Sequence, residues 1–194
     1  AIVRPLSVGA GNAVPEPVRQ GIGNFADNLD QPRYVLNNLL QLRIDDALAN
    51  TFRFAINSTV GLGGLLDPAS GIGLHAEATD FGETLHVWGA PEGAYVVLPV
   101  LGPSTSRDTV GFVVDRAMNP VRFFVEPPES YYATAAGIGG ALNTRYRFSD
   151  TIDELYYESA DGYAAARILY LSNRRFELRG EAQDDYFDPY RSES

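Results

Sequence analysis

Cysteine and lysine are both absent from this chain of 194 residues, and histidine occurs only twice. Without cysteine the protein can form no disulfide, no thiolate zinc site and no cysteine nucleophile. The 15 basic residues are therefore all arginine, and they are outnumbered by 25 acidic residues, which gives a net charge of −10. Nucleic acid and anionic lipid surfaces require clustered positive charge, so we exclude nucleic acid as a partner and a polybasic attachment to membranes.

Long hydrophobic runs are also missing, since no segment approaches the roughly 20 apolar residues that span a bilayer as a helix. No signal peptide precedes Ala1 and the chain begins without methionine, so we expect a mature or trimmed form. Hydrophobic residues nevertheless make up 45% of the chain, which argues against disorder. A chain of this length buries roughly 70% of the surface that its unfolded form exposes, so we expect a well-formed core.

Helical patterns dominate the chain. Apolar residues recur at helical spacing, with capping or breaking residues at the segment ends. The predicted helical segments are residues 15–29, 30–42, 45–56, 79–88, 104–119, 151–158 and 161–178. In the second of these we expect Val35, Leu36, Leu39 and Leu40 to form a buried face.

The stretch from Tyr95 to Leu98 is rich in β-forming residues. Pro99 and the flanking glycines leave it room for a brief extended segment only, so we expect no sheet. Because residues 1–178 contain no linker and no repeat, we predict one all-α domain with irregular connections rich in glycine and proline. Six acidic residues and two arginines follow in residues 177–194, which predicts an acidic and flexible tail over residues 179–194.

Catalytic arrangements are scarce. His75 and His86 lie far apart in the sequence, and no Gly-x-Ser-x-Gly elbow holds a nucleophilic serine. The tripeptide Asp80-Phe-Gly82 matches a kinase magnesium motif in its letters only, because the catalytic loop that should precede it is missing. The glycine clusters do not follow a strand, so they do not form a dinucleotide fingerprint. We therefore identify no catalytic residue, no metal site and no cofactor site.

Several polar residues share short segments with many apolar and aromatic residues, and two interpretations of them remain open. They form buried salt bridges and caps that tie loops together, or they form a polar path through an otherwise apolar protein. The residues are Arg53, Asn57, Asp67, Asp80, Arg107 and Asp108.

A short apolar cluster between prolines, Phe123, Phe124 and Val125, also has two interpretations. It packs in the core, where most large apolar side chains are found, or it dips into lipid.

Three ordered blocks of sequence resemble the MlaA (VacJ) outer-membrane lipoproteins of Gram-negative bacteria. The first is Arg53-Phe-Ala-Ile-Asn-Ser-Thr-Val-Gly-Leu-Gly-Gly-Leu-Leu-Asp67, and the second is Asp80-Phe-Gly-Glu-Thr-Leu-His-Val-Trp-Gly89. The third is Gly93-Ala-Tyr-Val-Val-Leu-Pro-Val-Leu-Gly-Pro-Ser-Thr-Ser-Arg-Asp108. The resemblance covers about residues 2–178 and is weakest over residues 119–148.

The resemblance implies a protein that is not an enzyme. Such proteins form a ring of helices in the periplasmic leaflet of the outer membrane, held by a lipidated N-terminal cysteine and associated with trimeric porins. They remove phospholipids that have strayed into the outer leaflet and deliver them to a periplasmic carrier, which maintains lipid asymmetry. The lipidated cysteine expected before Ile2 is missing here, so we expect the anchor in the full-length form.

On this resemblance the six polar residues named above become candidates for the lipid path, and Phe123, Phe124 and Val125 become candidates for membrane contact. Two alternatives remain, a soluble periplasmic lipid carrier and a lipid hydrolase. A carrier should enclose an apolar cavity sized for acyl chains. A hydrolase should lose activity when His86 or His75 is replaced by alanine.

Overall fold

The structure, a computed structural model, describes residues 14–98, 102–119, 139 and 161–179. In chain order the elements are helices α1 (Glu16–Leu40), α2 (Ile44–Thr59), α3 (Pro68–Gly71) and α4 (Phe81–Val87), strands β1 (Tyr95–Leu98) and β2 (Gly102–Thr105), and helices α5 (Ser106–Met118) and α6 (Gly162–Leu178). This mostly helical architecture confirms the predicted all-α class. The predictions for residues 123–125, 151–158 and 180–194 lie outside the described residues.

Helix α1 is one continuous helix of 25 residues with Pro32 inside it, so the prediction of two helices over residues 15–42 is wrong. A proline inside a helix costs roughly 3 kcal/mol or more. Contacts on both sides of it hold the helix together. The side-chain amide of Asn28 donates to Ser58 Oγ at 3.0 Å, and that of Asn38 donates to the carbonyl of Glu77 at 3.2 Å.

The turn between α1 and α2 places a leucine where glycine is usual. The N–H of Arg43 donates to the carbonyl of Asn38 at 2.9 Å, and the N–H of Leu42 donates to that of Leu39 at 3.1 Å. This is the Schellman pattern, whose central residue is left-handed, and Leu42 has a φ of 62°. Leu62, just beyond the other end of α2, has a φ of 55°. The two leucines are 83% and 68% exposed, so burial within the described protein does not compensate for their strain.

Strands β1 and β2 form an antiparallel hairpin in which Tyr95 pairs with Thr105 and Val97 pairs with Pro103. The expectation that this region forms no sheet is therefore wrong. Both strands of a two-stranded sheet are edge strands, where a proline does not interrupt a second ladder. The hairpin leads directly into α5.

Side-chain caps fix the starts of the later helices, because a side-chain oxygen accepts one of the free N–H groups of the first turn. Asp80 accepts from the N–H of Glu83 at 2.8 Å at the start of α4, within the helix predicted over residues 79–88. At α5 the cap is Thr105, one residue after the predicted helix start at residue 104. Asp161 caps α6, which confirms the helix predicted over residues 161–178.

Helices α4 and α5 pack with their backbones in close contact. A Cβ atom on Gly111 would overlap the backbone of Gly82, so glycine is required there for the two helices to approach. This contact sets the position of the capped N-terminus of α4 beside α5.

The buried interior is polar. Among the described residues the only buried hydrophobic residues are Ala47, Ala69 and Ala166. Fifteen polar or charged residues are buried beside them. They are Asn28, Gln31, Asn37, Asn38, Gln41, Asn50, Arg53, Asn57, Thr79, Glu83, Thr84, Ser104, Thr105, Arg107 and Asp115.

The large apolar side chains lie on the outside. On α2, Leu48 and Phe52 are exposed while Asn50 and Arg53 are buried. The predicted buried apolar face of residues 35–40 is also wrong, because Leu39 is 44% exposed and the intervening asparagines are buried. The helical periodicity is present, but its polarity is the reverse of that in a water-soluble protein. Over the residues that the structure describes, no helix is both long enough and apolar enough to cross a membrane.

A buried ion-pair cluster holds the segment after α2. Nη2 of Arg53 lies 3.1 Å from both carboxylate oxygens of Asp67, and Nη1 donates to Ser70 Oγ at 3.0 Å and to the carbonyl of Leu74. The side-chain amide of Asn57 donates to Asp67 at 2.9 Å. Since these groups bond mainly to one another, the cluster closes the loop between α2 and α3.

The carboxylate of Asp67 is stabilised in its charged form. Partial burial acts to raise its pKa, but hydrogen bonds from Ser70 and Asn57 outweigh that effect. With the contribution of Arg53, the pKa falls from its usual 3.8 to about 2. A depressed pKa stabilises the fold above the unfolded value, and this stabilisation is lost as the pH falls towards the folded value.

Protonation of Asp67 should lower the free energy of unfolding in detergent by up to about 2 kcal/mol as the pH falls from 5 to 2. Asp67→Asn removes this titration. The stability difference between the wild type and Asp67→Asn, measured by denaturant unfolding, should therefore shrink over this interval. An equal difference at pH 5 and pH 2 would contradict the prediction.

Candidate functional site

A chain of buried hydrogen bonds joins α1 to α4. The side-chain amide of Gln41 donates to Thr79 Oγ1 at 2.7 Å and to Thr84 Oγ1 at 2.9 Å. The hydroxyl of Thr79 donates to Glu83 at 2.9 Å, and Glu83 accepts from Arg43 Nη1 at 2.7 Å. Amides and hydroxyls thus fill the space that apolar side chains fill in a water-soluble core, and most of their buried polar atoms are paired with one another, with Oε1 of Gln41 as an exception.

The same chain continues to α5. The hydroxyl of Thr84 donates to Asn37 Oδ1 at 2.9 Å, and the amide of Asn37 donates to Asp115 at 2.7 Å. Asp115 also accepts from the N–H of Phe81 at 3.0 Å and from Arg33 at 3.4 Å. Burial raises the pKa of Asp115, and the hydrogen bonds from Phe81 and Asn37 only partly offset it.

A single arginine of α6 contacts three carboxylates. Nη2 of Arg174 lies 2.6 Å from Asp80 and 3.3 Å from Asp108, and Nη1 lies 3.3 Å from Glu177. Burial acts to lower the pKa of Arg174, but the hydrogen bond to Asp80 and the negative charges of Asp80 and Asp108 together outweigh it and raise the pKa. The guanidinium therefore stays charged and attaches α6 to the starts of α4 and α5.

Asp108 is the most heavily bonded carboxylate of this cluster. It accepts from Tyr170 Oη at 2.9 Å and from Thr105 Oγ1 at 2.8 Å, and it forms an ion pair with Arg107 at 3.2 Å. Burial acts to raise its pKa, but the hydrogen bond from Thr105 and the charge of Arg174 hold the pKa of Asp108 below its usual range. Asp108 is therefore a fixed negative charge.

These groups line an open cleft of about 400 Å³, which we call the acidic cleft. Its lining combines two arginines, four carboxylates and several apolar or neutral residues. They are Arg33, Asp80, Leu98, Pro103, Ser104, Asp108, Phe112, Asp115, Tyr170, Asn173, Arg174 and Glu177. Two positive and four negative charges give the described lining a formal charge of −2.

A second pocket of about 460 Å³, which we call the basic pocket, has Arg107 in its wall. It lies among α4, the turn after it, the start of α5 and the end of α6. Its lining residues are His86, Gly89, Ala90, Pro91, Glu92, Arg107, Arg175, Leu178 and Arg179. The adjacent residues Arg107 and Asp108 therefore line different pockets.

The six candidates for a polar path fall into separate groups. Arg53, Asn57 and Asp67 form the cluster beside α3 and line neither the acidic cleft nor the basic pocket. Asp80 and Asp108 line the acidic cleft, together with Arg174. The six residues therefore do not form one continuous row among the contacts of the described residues.

The sequence analysis missed six charged or hydroxyl-bearing residues of the acidic cleft, which are Arg33, Ser104, Asp115, Tyr170, Arg174 and Glu177. A signal for two of them is present, because Tyr170 and Arg174 are four residues apart and share a face of α6. Asp115 shares the polar face of α5 with Arg107. No local pattern indicates Arg33, which reaches Asp115 across 82 positions of sequence.

Within the part of the chain that the structure describes, no three His, Asp or Glu side chains are arranged to hold a metal ion. His86 contacts Arg107, with 3.4 Å between Nδ1 and Nη1. That contact is consistent with a structural role for His86.

Comparisons with known proteins agree with the motifs. The profile of the family described as MlaA lipoprotein matches residues 1–177. An uncharacterised protein of Rickettsia felis is 34% identical over 167 residues, which are 86% of this chain and 65% of that protein. The intermembrane phospholipid transport system lipoprotein MlaA of Shigella flexneri is 34% identical over 183 residues, which are 92% of this chain and 70% of that lipoprotein.

The fold matches as well. A solved structure, described as the structural basis for maintenance of bacterial outer membrane lipid asymmetry, is 31% identical and has a TM-score of 0.75. The match covers 91% of this chain and 88% of the solved one. This chain spans about two thirds of the length of its Rickettsia relatives, 65% in R. felis. By sequence and by structure, the chain belongs to the MlaA lipoprotein family.

Proposed function

We propose that this protein removes phospholipids that have strayed into the outer leaflet of the outer membrane and passes them to a periplasmic carrier, which maintains lipid asymmetry. The observation that carries the proposal is the reversed polarity of the fold, with polar residues buried and large apolar residues exposed. This distribution suits a protein surrounded by hydrocarbon whose interior accommodates a charged head group. The name of the Shigella relative, which refers to intermembrane phospholipid transport, supports the proposal.

The apolar exterior would lie against acyl chains. The side chains of Leu48 and Phe52 of α2 and of Val113 of α5 are at least half exposed. In water such side chains would cost free energy, whereas in hydrocarbon they cost none. Leu42 and Leu62, held in strained turns and exposed, would insert into lipid at opposite ends of α2.

The acidic cleft would form part of the lipid path. A charged head group that enters hydrocarbon without a partner costs several kcal/mol or more. Asp80, Asp108 and Arg174 would replace the water around the head group. Leu98 and Phe112, on the same lining, would face the acyl chains.

For Arg53, Asn57 and Asp67 a role in the path stays a prediction. Their contacts support the alternative that they close a loop, because the guanidinium of Arg53 already bonds to both oxygens of Asp67. The proposed place of Arg107 in the lipid path is in the wall of the basic pocket. Phe123, Phe124 and Val125 remain proposed membrane contacts.

Membership of the family supports a proposal for the partners and the location. We propose that the full-length protein is held by an N-terminal lipid anchor on the periplasmic face of the outer membrane, beside a trimeric porin. A periplasmic carrier of the same pathway would receive the lipid. The family to which the chain belongs consists of lipid-transport lipoproteins, and we propose no catalytic role.

The alternatives of the sequence analysis are less well supported. A soluble lipid carrier needs an apolar cavity for acyl chains, whereas the acidic cleft and the basic pocket have charged linings. A hydrolase would require His75 or His86 in a catalytic arrangement. The ring of His86 contacts the guanidinium of Arg107 instead of a nucleophile or carboxylate.

Complementation tests the function directly. A strain that lacks its own family member and expresses the full-length lipidated form of this protein should regain a low level of outer-leaflet phospholipid. The measurement is labelling of intact cells with an amine-reactive reagent that does not cross the membrane. If the protein reaches the outer membrane and labelling stays high, the proposed function is wrong.

A pair of matched variants tests whether the acidic cleft is the path. Arg174→Gln and Arg53→Gln each remove a guanidinium from a buried ion-pair cluster, and each should lower stability by roughly 3 kcal/mol. Of these two arginines, only Arg174 lines the acidic cleft. At equal amounts of folded protein in the outer membrane, Arg174→Gln should therefore impair rescue severalfold more than Arg53→Gln.

If the two variants lose rescue equally once rescue is corrected for the amount of folded protein, a path through the acidic cleft is contradicted. Arg116→Gln, on the exposed part of α5, is the control for loss of a positive charge. It should rescue as well as the wild type.

Leu42 offers a test of membrane insertion. Leu42→Gly relieves the left-handed strain and should raise the free energy of unfolding in detergent by about 1 kcal/mol. It also removes an apolar side chain worth roughly 1.5–3 kcal/mol on burial in lipid, so binding to phospholipid vesicles should weaken. Leu42→Ala keeps the strain and loses most of the side chain, so it should weaken binding without the gain in stability. Unchanged vesicle binding of both variants would exclude Leu42 from the membrane.

A further inference from the structure

The basic pocket carries a charge opposite to that of the acidic cleft. Its lining includes Arg107, Arg175 and Arg179 against the single carboxylate of Glu92. Three positive charges and one negative charge give a formal charge of +2 with His86 neutral. The two pockets are separated by the adjacent residues Arg107 and Asp108, so the chain presents environments of opposite sign on the two sides of the start of α5.

The side chain of Arg107 is buried in the wall of this pocket and held there by its contacts. Its side chain is only 3% exposed. Nε and Nη2 lie 3.3 and 3.2 Å from Asp108 Oδ1, and Nη1 lies 3.4 Å from Nδ1 of His86. A guanidinium has five N–H donors, so these described contacts leave further donors for a bound group.

The contact with Arg107 also fixes the tautomer of His86. A guanidinium cannot accept a hydrogen bond, so Nδ1 of His86 must be the acceptor. The proton of the neutral ring is then on Nε2. The exposed ring thus adds a donor to the lining of the pocket.

One arginine of the pocket, Arg175, already binds a carboxylate of the protein itself. The carboxylate of Glu92 forms two parallel contacts with Arg175, at 2.9 Å to Nε and 3.0 Å to Nη2. The hydrogen bond from Arg175 is the main cause of the lowered pKa of Glu92. This two-point geometry is the one in which arginine binds carboxylates and phosphates. Glu92 therefore marks the position of an anion and competes with any other anion for it.

We propose that the basic pocket binds the phosphate group of a phospholipid head group. The inference rests on the proposed function, and it assigns to the phosphate a binding site separate from the acidic cleft. Arg107 and His86 form the rigid wall, and Arg175 and Arg179 at the end of α6 supply the exposed charges. A phosphate enters by displacing the carboxylate of Glu92 from Arg175.

The test measures binding of three probes to the full chain purified in detergent, by titration calorimetry. The probes are dihexanoyl phosphatidylglycerol, sn-glycerol 3-phosphate and inorganic phosphate. The two phosphate esters should bind, and inorganic phosphate should bind more weakly. Dihexanoylglycerol, which lacks the phosphate, is the control for partition into the micelle.

Variants of exposed residues separate the pocket from general charge effects. The double variant Arg175→Gln/Arg179→Gln should weaken ester binding roughly tenfold or more, since it removes two charged donors. Glu92→Gln removes the competing carboxylate and should strengthen binding about threefold or more. Arg116→Gln, which lines neither pocket, should leave binding unchanged.

Weaker or unchanged binding by Glu92→Gln would overturn the proposed competition and the site with it. Inorganic phosphate binding as tightly as the esters would overturn the assignment to a lipid head group. The proposed function is judged separately by complementation. A rescuing protein without this binding contradicts only the phosphate site, and a binding protein that fails to rescue contradicts only the transport function.

Discussion

The requirement to pair buried polar groups by hydrogen bonds governs this structure, although a few buried atoms of the described residues, among them Oε1 of Gln41, have no partner. In a water-soluble protein that requirement is secondary to apolar burial, but here the interior of the described residues has almost no apolar burial to offer. Gln41 and Thr84 lie at the centre of the resulting network. Through them α1 is joined to α4, and through Asn37 to Asp115 it is joined to α5. The positions of these helices are thus set by directional contacts, which tolerate less sliding than apolar packing does.

The same requirement shapes the acidic cleft and the basic pocket. The short helix α4 starts at Asp80, whose carboxylate both caps the helix and binds Arg174. The backbone contact between Gly82 and Gly111 brings α5 beside it. Asp108 then lies within reach of the same arginine, while Arg107 points to the other pocket. One close helix crossing therefore produces two charged environments with opposite signs.

Local sequence signals predicted where the helices lie better than they predicted what those helices bury. The predicted starts of the segments 79–88 and 161–178 lie within two residues of the observed helix starts, because a cap such as Asp80 or Asp161 is a contact over three residues. The buried stripe of α2, formed by Asn50, Arg53 and Asn57 with Ala47, has regular helical spacing and was visible in the sequence. Burial of Arg53 and Asn57 was one of two interpretations left open, but burial of Asn50 was not expected, because the usual rule places apolar faces inward and assumes water outside. The error thus lies in the assumed solvent, not in the periodicity.

Long-range contacts were beyond local reasoning. Arg174 meets Asp80 across 94 positions of sequence, and no spacing rule connects them. The continuity of α1 through Pro32 also depends on partners in other elements, Ser58 and the backbone of Glu77. The motifs that identified the family contain Arg53, Asp67, Asp80 and Asp108 together, although the structure divides these residues between a loop closure and a cleft.

The polar interior has a thermodynamic consequence. Unfolding of an ordinary domain exposes apolar surface and gives a large positive heat-capacity change, whereas exposure of polar surface lowers the heat capacity. A chain whose buried residues are mostly amides, hydroxyls and ion pairs should unfold within a micelle with a small heat-capacity change. Its stability curve would then be nearly straight, without the loss of stability on cooling that follows from apolar burial. A protein of this kind becomes steadily more stable as the temperature falls, and cold does not unfold it.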